Sequence, residues 1–137
     1  MKTLLETILS RKLFDPKVAI YDWLEKYGIK NYTVNDKGEI DVYGDVDLDG
    51  YNLTEFPSYI QFGTVKGGFY CYNNKLTSLE GVPKVIEGGF DCSHNNLKDL
   101  KGSPREVGEN FDCSLNSTQF TENDVRKVCR VRMRIIV

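Results

Sequence analysis

Phe69-Tyr70-Cys71, Phe90-Asp91-Cys92 and Phe111-Asp112-Cys113 are three copies of one pattern, set 21 residues apart. Five residues after each phenylalanine comes an asparagine: Asn74, Asn95 and Asn116. The first two copies run on in step through Leu76 and Leu97, Leu79 and Leu100, Gly81 and Gly102, and Pro83 and Pro104. A fixed period in the low twenties means that equivalent residues stack on one another, turn upon turn. The expectation is a solenoid, which is chiefly a surface for holding something else.

Each repeat position has a physical task. Phe and Cys, two residues apart, point to one side of a short strand. The following Asn can donate its side-chain amide into the loop backbone and satisfy groups that a tight bend would strand. Leu76 and Leu79, or Leu97 and Leu100, fill the next two sides of the coil, and Gly81 and Gly102 permit a turn with positive φ. Cys71, Cys92 and Cys113 share one position and stack as a column, while Cys129 lies outside the pattern. Their spacing is too long and regular for a zinc site, and His94 is the single histidine. Buried cysteine behaves as a small hydrophobe, so the column reads as core. No cofactor or metal is expected.

The template F-x-C-x-x-N-x-L-x-x-L with a later Pro resembles the leucine-rich repeat in a short, bacterial-like form, with Phe and Cys in place of the strand leucines. The resemblance covers residues 46 to about 120. In the first repeat Val46, Leu48, Leu53 and Phe56 stand for Phe69, Cys71, Leu76 and Leu79, offset by 23, with Tyr51 at the Asn position. The string from Gly67 to Lys84 is also similar to arrays in small proteins of tailed bacteriophages, behind a helical N-terminus. That resemblance implies action in the cytoplasm of an infected bacterium on a host factor, such as a defence component. It carries no enzymatic activity.

Outside the repeats the period changes. Leu4, Leu5, Ile8 and Leu9 predict a helix over 3–11. Asp15-Pro16 predicts an N-cap and first helical turn, Val18, Ile20, Tyr21, Trp23 and Leu24 a broad apolar face, and Gly28 a stop. Tyr32 and Val34, then Ile40 and Val42, alternate about a turn at Asn35–Gly38 and predict a β-hairpin. Thr121 to Asp124 opens a helix-like stretch through Val125 and Val128 to Cys129. Arg130 to Ile135 alternates strictly, predicting one strand with Val131 and Met133 in the positions of Phe111 and Cys113. The expected fold is α+β: a helical cap over residues 1–30, then a hairpin, a short leucine-rich-repeat-like solenoid of parallel strands, and a C-terminal capping helix and strand over 31–137.

Composition narrows the function. The net charge of −2 gives no global pull toward nucleic acid or anionic lipid. No apolar run approaches the roughly 20 residues of a membrane span, and Glu6 interrupts the N-terminal apolar stretch, so a cytoplasmic protein is expected. In a short solenoid the residues between inward strand positions form an exposed face. They are Asp45, Asp47, Asp49, then Tyr70 and Tyr72, Asp91 and Ser93, Asp112 and Ser114, and last Arg130, Arg132 and Arg134. Tyrosines flanked by charge on a face roughly 20 Å wide predict a protein partner. Asp45-Val46-Asp47-Leu48-Asp49-Gly50 opens like a calcium loop, but Phe56 stands where the closing Glu belongs. No nucleophile–base pair points to an enzyme. The competing readings are a nucleic-acid binder using the arginines, and self-assembly as a homodimer through the apolar edge at Ile135–Val137.

Overall fold

The computed structural model describes residues 3–5 and 15–137. The predicted first helix lies outside the described residues except for its start, where Leu4 and Leu5 are helical. Helix α1 (Pro16–Lys26) begins where the sequence places it: the Asp15 side chain accepts the Lys17 N–H at 2.9 Å, with Pro16 in the first turn. Gly28, at φ +66°, ends it, and the Ile29 N–H returns to the Leu24 carbonyl. Its apolar face is narrower than expected: Ile20, Trp23 and Leu24 are buried, whereas Val18 and Tyr21 are exposed.

The predicted hairpin forms from β1 (Tyr32–Val34) and β2 (Glu39–Val42), with Tyr32 opposite Val42 and Val34 opposite Ile40. Asn35 closes its turn by accepting the Lys37 and Glu39 N–H groups on Oδ1. Beyond it the chain winds into a β-solenoid of about four turns. Each turn supplies two short strands to two sheets, where the sequence reading expected one. The five-stranded sheet contains β3 (Val46–Asp47), β5 (Phe69–Tyr70), β7 (Phe90–Asp91), β9 (Phe111–Asp112) and β11 (Ile135–Ile136). The six-stranded sheet runs β1, β2, β4 (Gln61–Val65), β6 (Val85–Ile86), β8 (Glu106–Val107) and β10 (Arg130–Val131). All pairings except β1 with β2 are parallel.

The first repeat aligns as predicted, with Val46 opposite Phe69 and Val46, Leu48, Leu53 and Phe56 all buried. An aromatic stack threads the core. Trp23 of α1 meets Phe56 and Phe62, these meet Phe69, and Phe69, Phe90 and Phe111 follow at centroid distances of 6.2 and 5.0 Å. Burying each such ring contributes on the order of 2–3 kcal/mol, so α1 is bonded to the solenoid through its strongest core column.

The C-terminal strand departs from expectation. It is two strands, with Val131 opposite Val107 and Ile135 opposite Phe111, and Met133 is 61% exposed. Val131 and Ile135 lie four residues apart, as do Val65 and Phe69, Ile86 and Phe90, and Val107 and Phe111. The apparent alternation is therefore the ordinary corner between the two sheets. Before it, α2 (Glu122–Arg126) is closed by a Thr121–Asp124 capping box and ends earlier than predicted, leaving Val128 exposed.

Each turn bends at a residue with positive φ: Asn52, Asn73, His94 and Leu115, between 53 and 58°. Asn and His tolerate this region; leucine pays a steric penalty of about 1 kcal/mol there. Leu115 is also 68% exposed, so its side chain recovers little by packing. Leu115→Asn is expected to stabilise the fold by about 0.5–1 kcal/mol, read as a higher urea midpoint at unchanged m-value.

Candidate functional site

The register places Asp47, Tyr70, Asp91, Asp112 and Ile136 side by side across the five-stranded sheet. These residues are exposed or half-buried and stand between the inward columns, so they form the sheet's outer face. Tyr72 is half-buried just beyond Tyr70. Gly68 makes room for the Tyr70 ring: a Cβ there would lie 2.2 Å from the Tyr70 hydroxyl.

The arginines are not part of this row. Arg130 pairs with Glu106 in the six-stranded sheet, and Arg132 follows at the corner, its guanidinium 3.8 Å from Glu106. Arg134 sits beyond that corner, its N–H bonded to the Asn110 side chain. The face expected to run from acidic to basic is instead acidic along its length and ends in Ile136. Ser93 is a second correction: it is buried, its N–H and Oγ both bonded to Asp91 Oδ1 at 2.9 and 2.5 Å. Ser114 repeats that contact with Asp112 and is half-buried. Both serines hold strand ends in shape.

Electrostatics follow the geometry. The Tyr70 hydroxyl is pushed above its ordinary value by burial first and then by Asp45, Glu109, Asp47 and Asp91. Tyr72 is raised chiefly by Asp49, then by burial and by Asp47. The Asp49 carboxyl is itself raised by its hydrogen bond with Asp47. Both tyrosines thus stand in a negative field. Glu109 belongs to that field and escaped the sequence reading because it lies at a corner, outside the strand alternation.

The predicted Asn ladder is structural. Asn74 donates to the carbonyls of Leu48, Cys71 and Tyr72 and accepts the N–H groups of Tyr51 and Leu53. Asn95 and Asn116 repeat the three donated bonds one and two turns on, and each accepts one N–H, that of Leu76 and of Leu97. Cys71, Cys92 and Cys113 are buried free thiols in one column, and Cys129 is buried apart from it. No helix among the described residues is long and apolar enough to cross a membrane. No protein-family model matches the chain, and comparisons with curated proteins and with solved structures give no match either.

Proposed function

We propose that the chain is a non-enzymatic, leucine-rich-repeat-like interaction module that docks a protein partner on the outer face of its five-stranded sheet. The observation that carries this reading is the pair of half-buried tyrosines, Tyr70 and Tyr72, set among Asp47, Asp49, Asp91 and Asp112 on a regular strand surface. Tyrosine supplies contact area at small entropic expense and is enriched where binding energy concentrates. A row of carboxylates repels a phosphate backbone, which favours a protein over nucleic acid. The phage resemblance adds a source for that protein: a host factor, such as a defence component, met in the bacterial cytoplasm.

The test is capture from bacterial lysate with nuclease present. A stoichiometric protein partner is expected with the unmodified chain. The Tyr70→Ala/Tyr72→Ala variant is expected to lose it, by at least about 30-fold in affinity for hot-spot residues, while its urea midpoint stays close to the parent's. Undiminished capture by the double variant would remove this face from consideration.

A further inference from the structure

Every turn of the five-stranded sheet is hydrogen-bonded to the next by the same two donors. The Val46 and Leu48 N–H groups bond the Gly68 and Tyr70 carbonyls at 2.9 and 2.7 Å, and Phe69 and Cys71 bond Gly89 and Asp91, both at 2.9 Å. Phe90 and Cys92, then Phe111 and Cys113, continue the series. In the first turn the carbonyls that should receive such donors belong to Asp45 and Asp47. Among the described residues no turn precedes this one, because β3 ends its sheet, and no donor among them reaches either carbonyl. The Asp47 N–H likewise has no acceptor among them.

The other sheet is built differently. It runs one strand further, with β1 lying beyond β2. One strand's worth of room is therefore left beside β3. A groove of about 310 Å³ occupies it, its wall built from Tyr27, Ile29 and Tyr51 together with Asp45, Asp47 and Asp49. Tyr27 and Tyr51 meet edge to face at 5.0 Å and give that wall a fixed aromatic surface.

We propose that this edge takes one added strand, an extended partner segment that alternates apolar and basic side chains. Its first and third residues donate their N–H groups to the Asp45 and Asp47 carbonyls, as Val46 and Leu48 donate to the next turn. Their side chains then point inward like Val46 and Leu48, toward Tyr27, Ile29 and Tyr51, and so are apolar. The middle side chain stands outward beside Asp47, between Asp45 and Asp49, and so is Lys or Arg. A second copy of the solenoid does not fit. Its end turn brings both sheets, and the second would run into β1.

The probe is a capped heptapeptide, Thr-Val-Arg-Val-Arg-Val-Thr, with a control carrying Glu for Arg, each added at up to about 1 mM, where an affinity near −4 kcal/mol is detected. Amide hydrogen exchange is followed by NMR on the unmodified chain, with Trp23 fluorescence as a second signal because Tyr27 packs on Trp23 at 4.7 Å. The arginine peptide is expected to slow exchange of the Asp47 amide at least tenfold, and the glutamate peptide to leave it unchanged. Asp47→Lys is expected to weaken binding at least tenfold. The proposal is overturned by absence of binding, by equal binding of both peptides, or by binding that leaves the Asp47 amide exchanging freely. The groove shares Asp47 and Asp49 with the outer face but not its tyrosines: Tyr70→Ala/Tyr72→Ala is expected to keep peptide binding, so either reading can fail without the other.

Discussion

Asn95→Ala is expected to destabilise the fold by about 3 kcal/mol, a large part of the roughly 5–15 kcal/mol that holds a domain of this size together. The side chain is 5% exposed and has no slack. Its Nδ2 donates to the carbonyls of Cys71, Cys92 and Ser93 at 3.0, 3.1 and 3.1 Å, and its Oδ1 accepts the Leu76 N–H at 2.9 Å. Alanine leaves the Leu76 N–H buried and unpaired, at about 1–3 kcal/mol, and removes one of two donors from each carbonyl, since Cys71, Cys92 and Ser93 keep their bonds from Asn74, Asn116 and the Asn73 N–H. Asn95→Asp separates the donor from the acceptor. It keeps the bond from Leu76 but sets a carboxylate against three carbonyls, so its folded-state pKa lies above the unfolded value. That variant is expected to regain stability relative to the parent as pH falls toward 4, where the protonated acid can donate again. Asn116, which is only half-buried, should cost about half as much when truncated. Urea unfolding at neutral and acid pH reads all three; a loss below about 1 kcal/mol for Asn95→Ala would mean that water replaces the amide.

The parts of the fold legible in the sequence are those in which one residue has one task. The 21-residue period, the Asn ladder, the Cys column and the cap at Asp15-Pro16 are of this kind, and each stands where the spacing puts it. The six-stranded sheet was harder to see. Its strands β6, β8 and β10 have two residues each, too short for alternation to register, and the signal of the column is Val65, Ile86 and Val107, again 21 apart. That missing column also explains the misplaced arginines. Without it, Val131, Met133 and Ile135 look like one alternating strand; with it, Val131 continues Val107 and Ile135 continues Phe111. Asp47, Tyr70, Asp91 and Asp112 stand side by side because strand register puts them there, whereas Ser93, expected beside them, is buried. There a bend turns the side chain onto Asp91, and nothing in a period-two pattern records that bend.

Raising the pH from 8.5 to 9.5 is expected to remove roughly 4 kcal/mol of stability through the four buried thiols. An unfolded cysteine ionises near 8.5. In the fold, burial pushes Cys71 and Cys92 far above that value, with Asp91 adding to both, and lifts Cys113 and Cys129 to about 12. Over this interval the unfolded chain releases protons that the folded chain keeps. Stability is therefore complete below the ordinary thiol range and falls as pH rises, by about 1 kcal/mol per thiol over the first unit and about 1.4 for each unit after. Cys92→Ala should lower stability at pH 7 by about 1–2 kcal/mol through the void it leaves, yet flatten the alkaline slope by about a quarter. A structural loss alone would shift the whole curve and leave its slope intact. Urea midpoints from pH 7 to 9.5 separate the two, and an alkylating reagent should label the native thiols only as fast as the chain opens. A flat profile would mean that water reaches the thiols along the whole column, so that they ionise alike in the folded and unfolded chain.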